Sequence, residues 1–295
     1  MFDVVGVGAS SVDFVYRLPG LPQVHGLGAK MRVSSRTVSY GGQVATALAT
    51  CAALGLRAAY AGAVGDDEES RRLLRALAAR GVDTTLTVCR AGGSQSAVIL
   101  VDEGSGERVV LWDRPSSLRL SEDDLPAEAL RSARAVLVDD VDPGASLAAA
   151  RIARAAGVPV VTDLDHVTTD TEALVRTASH PVLAEHLPAA LTGERDLERA
   201  LRRLRSWNAG LLTVTVGERG AVALDGDRYL QVEGFPVTAV DTTGSGDVFR
   251  GAFIAGLLGG LPTADLLRFA NRAAAVSCTR AGALDAVPRP DEVEM

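Results

Sequence analysis

Residues 241–251 read DTTGSGDVFRG, with Gly244 and Gly246 flanking Ser245 and Asp247 directly behind them. Glycines leave the backbone bare, so an anion can come right up to the N–H groups of such a stretch. The apolar residues that follow predict a helix starting near Ser245 or Gly246 and running to about Leu258. The first turn of a helix presents unpaired N–H groups and the positive end of the dipole. Asp247 then stands beside a bound anion, where a carboxylate is costly unless it works. The work open to it is to take a proton from an attacking hydroxyl while Gly244, Ser245 and Gly246 hold charge on a transferring phosphoryl group. The plainer alternative is a glycine-rich helix start with an ordinary first-turn acid.

Three further stretches could do chemistry. Asp13 lies just past the first predicted strand, where it could bind a ligand or cap a turn. Gly41 and Gly42 precede a helix, either for a tight turn or for close approach of a ligand. TVTVGERG (213–220) ends an apolar strand in a glycine-bounded turn, as a hairpin or a binding loop. All three, with the 241–247 stretch, fall at the carboxyl ends of predicted strands, which is the ligand-binding rim of an open α/β sheet.

The elements that would position them alternate along the chain. DVVGVGA (3–9) and AAYAGAVG (58–65) read as strands, while GQVATALATCAALG (42–55) and DEESRRLLRALAARG (67–81) read as helices. The rhythm resumes after residue 134 with AVLVDD, PVVTDLD, PVLA and LLTVTVG separated by helical patterns. Strands alternating with helices of about 10–15 residues predict βαβ crossovers and a mostly parallel sheet covered on both faces. Two regions break the rhythm: 14–40, and 85–113 with TLTVCR, QSAVILVD and RVVLWD, the last two joined by GSGE (104–107) as a hairpin turn. They predict a small antiparallel β lid on a single domain spanning 1–295.

Composition excludes several classes. The 295 residues are 47% hydrophobic and 23% charged with a net charge of −7, an ordinary globular balance with no signature of nucleic-acid binding. No apolar run reaches the ~18 residues of a membrane span, and the first residues lack a basic signal-peptide region, so a cytoplasmic protein is expected. The scattered cysteines Cys51, Cys89 and Cys278 read as buried thiols, and the histidines show no metal-ligand spacing. GVGASS (6–11) lacks the third glycine and the distant acid of a dinucleotide fingerprint, and neither a GxxxxGK[ST] loop nor a GxSxG elbow occurs.

DTTGSGDVFRGAF resembles the C-terminal signature of the ribokinase-like (PfkB) carbohydrate kinases, with serine for the usual alanine at 245. GGQVATALATCAALGLRAAYAGAVGDD is similar to the N-terminal signature, TVGERG to the nucleotide-binding turn, and SCTRAGALDAVP (277–288) to the segment over the adenine. The resemblance implies ATP-dependent phosphorylation of a primary sugar hydroxyl, with Asp247 as base and 244–247 as anion hole. It places Asp13, Gly41, Gly42, Gln43 and Thr46 around the sugar, with Lys30 and Trp112 nearby. It places Thr215, Gly217, Gly220 and Asn271 around the nucleotide. Asp241 and Thr243 fall near a monovalent cation, K+ in such a site. Two positions depart from the family. Thr46 replaces its sugar-contacting asparagine, and Ala184 and Leu187 stand in the NxxE magnesium slot, leaving Glu185 as the only acid there for Mg2+. The lid stretch and Thr46 are more like the ketohexokinase and sulfofructose-kinase branches, which implies a ketose. A nucleoside kinase, a phosphorylated- or sulfonated-sugar kinase and a non-catalytic sugar or nucleotide sensor are the alternatives. The apolar lid face and its strand edges predict a homodimer through the lid.

Overall fold

The computed structural model describes residues 1–105 and 108–293. Strand β1 (Val4–Val7) runs almost directly into β2 (Ser11–Leu18), and β3 (Ser35–Gly41) leads into helix α1 (Gln43–Ala53). β4 (Ala58–Tyr60), β5 (Ala63–Gly65), α2 (Glu68–Ala79), β6 (Val82–Asp83) and β7 (Val88–Arg90) follow, then β8 (Ser96–Asp102) and β9 (Arg108–Asp113). The middle of the chain holds α3 (Ala127–Ser132), β10 (Ala135–Asp139), α4 (Pro143–Ala155), β11 (Val160–Asp163) and α5 (Thr171–Thr177). Next come β12 (Val182–Ala184), α6 (Leu187–Thr192), α7 (Leu197–Leu204), β13 (Leu212–Thr215), β14 (Ala221–Asp225) and β15 (Arg228–Val232). Two long helices, α8 (Ser245–Leu258) and α9 (Thr263–Ser277), close the body.

Strands β11-β10-β1-β4-β6 pair in parallel, and β12-β13-β14-β15 continue the layer through isolated parallel bridges at Val161–His180 and Leu164–Leu183. Strand alternation splits the core. Val4, Ala135 and Leu137 join the cluster under α1, α8 and α9, while Val5, Val7, Val136 and Val138 join the cluster under α4 and α5. Burial on both faces explains why these strands read as continuous apolar runs. β14 returns antiparallel to β13 across the TVGERG turn and β15 pairs antiparallel with β14, so the parallel rule holds only as far as β13.

The lid is the sheet β3-β2-β8-β9. Its outer pairs are antiparallel, but β2 and β8 run parallel. Three local expectations are corrected. The stretch TLTVCR contributes β7, which pairs with β5 in a separate two-stranded sheet and not with the lid. AAYAGAVG breaks into β4 and β5 because Tyr60, fully buried, aims its hydroxyl back at the turn after β1. Its Oη donates to the Gly8 carbonyl at 3.0 Å, and a Cβ on Gly62 would lie 2.0 Å from it. Cys89 is exposed on β7, against the expectation of three buried thiols, whereas Cys51 is buried. Of the expected 104–107 turn, Gly106 and Glu107 lie outside the described residues; Gly104 N–H donates to Asp102 Oδ1 at 2.7 Å where the turn begins. Among the described residues no helix is long and apolar enough to cross a membrane.

Candidate active site

Helix α8 begins at Ser245, as its sequence predicts. Gly244 precedes it in the left-handed region at φ 75°, and no side chain caps the helix. The Ser245 N–H is taken by the Thr242 carbonyl at 3.3 Å. The N–H groups of Gly246 and Asp247 have no carbonyl within the helix to meet, so they are free for an anion. Helix α1 lies alongside α8: a Cβ on Gly251 would come within 2.4 Å of the Ala47 carbonyl. Its N-cap is also a bare glycine, Gly42 at φ 98°, again with no capping side chain.

Asp13, Gly41 and Thr46 gather where these first turns meet. Asp13 lies within lid strand β2, not in a turn, and is buried. Ser11 Oγ donates to its Oδ1 at 2.7 Å. Burial pushes the Asp13 carboxyl above the usual aspartate range, against the Ser11 hydrogen bond, with the Asp241 charge adding to the rise. A Cβ on Gly41 would stand 3.1 Å from Ala283 Cβ, 3.2 Å from Asp13 Oδ2 and 3.8 Å from Thr46 Oγ1. A Cβ on Gly244 would stand 2.8 Å from the same Ala283 Cβ and 3.4 Å from Thr46 Cγ2. Gly41, Asp13, Thr46 and Gly244 therefore pack close together around Ala283. Thr46 Oγ1 is buried there without a hydrogen-bond partner. Such an atom costs stability unless a ligand satisfies it.

Sequence reasoning missed the charged floor. Arg250, one turn along α8 from Asp247, forms a buried ion pair with Asp163 at the end of β11, 2.7 Å from Nε to Oδ1. The Nε–H does not point at that oxygen, and Asp163 Oδ2 has no partner, so the contact is coulombic and not a directed hydrogen bond. Gln43 Nε2 reaches Asp163 Oδ1 at 3.5 Å. Arg250 also explains Gly246: a Cβ there would meet its Nη1 at 2.8 Å. Asp247 feels this neighbourhood. Burial, then the Asp163 charge, raises its carboxyl well above the ordinary range, and Arg250 opposes them. Asp139 at the end of β10 is pushed up to about 8 by burial, although it accepts the Ala9 N–H at 2.6 Å. The one available signal was a charged Arg250 inside an apolar helical stretch; Asp163 looked like any acid after a strand.

Of the residues expected around the nucleotide, Thr215 ends β13, and Gly217 and Gly220 sit at φ 60° and 92°. A Cβ on Gly220 would lie 2.3 Å from the Val232 carbonyl, and Asn271 Nδ2 donates to that carbonyl at 2.9 Å and to the Glu233 carbonyl at 3.1 Å. Gly220 and Asn271 thus hold one segment from two directions. Glu185 stands just after β12 and ion-pairs with Arg219 of the same turn. Among the described residues no three His, Cys, Asp or Glu group as a metal site.

Asp241 organises two loops. Its Oδ1 accepts the Thr243 N–H and its Oδ2 the Gly282 N–H, each at 2.9 Å. Burial works against its charge, but those bonds win and keep the carboxyl below the usual range. Arg108 of the lid reaches the same pair, so Asp241 and Thr243 are engaged by a guanidinium. Lys30 is exposed beyond the turn after β2. Trp112 lies on the outer lid strand β9, 71% exposed, in the register row Trp112–Ala97–Asp13.

The sequence model of the pfkB family carbohydrate kinases matches residues 1–290. Ribokinase of Bacillus subtilis is 28% identical, covering 100% of this chain and 99% of its own length. The ATP-dependent ribose-1-phosphate kinase of Halopiger xanaduensis is 29% identical over 99% of this chain and 97% of its own. A crystal structure of a candidate ribokinase from Agrobacterium tumefaciens superposes with a TM-score of 0.91 at 30% identity, covering 99% of this chain and 96% of that one.

Proposed function

The chain belongs to the pfkB family of carbohydrate kinases, and from that premise we propose that it transfers the γ-phosphoryl group of ATP to a primary hydroxyl of a small sugar, a ketose in preference. The observation that carries this reading is the meeting of Asp13, Gly41, Thr46 and Gly244 around Ala283, beside the uncapped α8 terminus that holds Asp247. In the reaction the sugar oxygen forms a bond to the γ-phosphorus as the bridging P–O bond to ADP breaks. Asp247 receives the hydroxyl proton, and its raised basicity suits it to that. The N–H groups of the 244–247 turn stabilise the charge on the transferring group. Asp13 and Gln43 hold the sugar hydroxyls. The extra hydroxymethyl of a ketose is accommodated because Thr46 is shorter than the family's asparagine. The nucleotide lies along Thr215, Gly217, Gly220 and Asn271. Magnesium would come with ATP, with Glu185 as the acid that would face its water shell, and would supply charge neutralisation to the phosphates.

A second reading, a sugar bearing a phosphate, sulfonate or carboxylate, is supported by Arg17. A cavity of about 380 Å³ lies between the lid and the loops 239–243 and 281–285, lined by Val15, Arg17, Ile99, Arg108, Asp241 and Asp285 among others. Asp241 pairs with Arg108 and Asp285 with Arg80, whereas the Arg17 guanidinium has no partner among the described residues. Arg17 is four residues along β2 from Asp13 on the same face, roughly 13 Å at about 3.3 Å per residue, a span that a sugar and its anionic group could fill between two side chains. ATP turnover against ketoses, aldoses, sugar phosphates, sugar acids and nucleosides decides. The first reading expects neutral ketoses to give the highest kcat/KM; the second expects anionic sugars to win and Arg17→Ala to abolish that advantage. Turnover of nucleosides alone would sink both.

A further inference from the structure

The position expected to hold a monovalent cation is in contact with a cation that belongs to the chain. Arg108, the first residue of β9, donates from Nη1 to Thr243 Oγ1 at 3.0 Å, and the same nitrogen lies 3.5 Å from Asp241 Oδ1. We propose that Arg108 is a tethered cation: with the lid in this position its guanidinium supplies the 241–247 loop with the positive charge that a free ion would bring, so the lid itself orders the anion hole. The proposal rests on the reading of that loop as the kinase anion hole.

Three observations converge on it. First, the oxygens are occupied. Asp241 Oδ2 accepts from Gly282, Oδ1 from Thr243, and Thr243 Oγ1 from Arg108. A free monovalent ion would have to displace the guanidinium or sit against it, and like charges at that range repel. The guanidinium brings its positive charge wherever the lid places it.

Second, the loop it grips leads straight into the nest. Thr243 precedes Gly244, whose left-handed φ of 75° sets the first turn of α8. Holding Thr243 by its side chain and Asp241 by its carboxylate limits how Gly244, Gly246 and Asp247 can move.

Third, the lid carries the sugar-reading acid and the tethered cation on one face. Arg108 pairs with Val101, Val101 with Arg17, and Arg17 shares the strand face of Asp13. Docking of Asp13 on a sugar and docking of Arg108 on the loop are therefore one rigid movement of one sheet. A loop ordered only under a seated lid would restrain transfer of the phosphoryl group to water before sugar binds.

The test compares the whole protein with Arg108→Ala and Arg108→Lys in potassium, sodium and choline chloride at equal ionic strength. The unaltered enzyme is expected to vary less than about twofold in kcat among the salts, while Arg108→Ala falls at least about tenfold in choline and partly recovers in potassium. Arg108→Lys, which keeps a charge but not the fork, should lie between. A purely structural loss would not respond to the choice of cation. Thermal melting without sugar gives a second readout: potassium should raise the midpoint of Arg108→Ala over choline and leave the unaltered protein unmoved. Because it needs no substrate, it separates this proposal from the choice of sugar. Potassium activation of the unaltered enzyme by about tenfold or more, or a wild-type kcat for Arg108→Ala in choline, overturns the proposal.

Discussion

At the scale of single residues, the assignment stands on Asp247. Asp247→Asn keeps the size and removes the proton acceptor, so kcat should fall roughly 10²–10⁴-fold, about 3–5 kcal/mol of barrier, with ATP affinity retained. Steady-state turnover together with nucleotide titration checks it, and near wild-type turnover would remove Asp247 from the mechanism. The pH profile carries a second prediction. Asp247 must be ionised to accept a proton, and burial with the Asp163 charge raises its carboxyl, so kcat should rise with pH through a limb above the ordinary carboxylate range. Asp139 and Asp165 push the same way and Arg250 pulls against them. Replacing Asp163 with Asn removes the largest neighbouring negative charge and should move the limb to lower pH. Arg250→Met should move it higher. A limb that stays put in a folded Asp163→Asn protein would refute the coupling. Asp247 was legible because its glycines are local in sequence. Asp163 and Arg250 were not, since their partnership is made only when β11 and α8 pack together.

At the scale of elements, the proposed function rests on the two uncapped helix starts. Their glycines predict that side chains cannot be tolerated. Gly244→Ala puts a Cβ 2.8 Å from Ala283 Cβ at a φ of 75°. The left-handed backbone alone costs about 1–2 kcal/mol for a non-glycine residue. Misplacing the nest by an ångström costs about 100-fold more in rate. The expected outcome is a lowered melting temperature with a kcat loss well beyond what that stability change explains; an unaffected kcat would mean that Gly244 does not shape the site. The limits of α8 followed from its glycines and apolar run. Asp13, by contrast, was expected just past a strand, and β2 proves to be the strand that carries it. Nothing local in the sequence separates the two cases, and only the pairing of β2 with β3 and β8 makes this stretch part of the lid.

At the scale of the whole molecule, the lid has edges to manage. β9 is an outer strand with Val110, Leu111 and Trp112 at 47%, 57% and 71% exposure. Open apolar edges invite pairing with another chain. A homodimer through this edge is expected, about twice the 30.6 kDa chain mass by light scattering at micromolar concentration. Leu111→Lys should shift it to monomer; a monomer before any substitution would leave the lid edge without this role. What the sequence determined by itself was whatever depends on neighbours in the chain. The alternation of strands and helices, the bare glycine turn at the start of α8 and the carboxylate beside it all follow from local periodicity and backbone freedom. The tertiary structure decided every feature that needs two distant segments to meet. Arg250 against Asp163, Arg108 against Asp241, and Ala283 between Gly41 and Gly244 depend on crossovers and lid register, and no spacing along the chain encodes those distances.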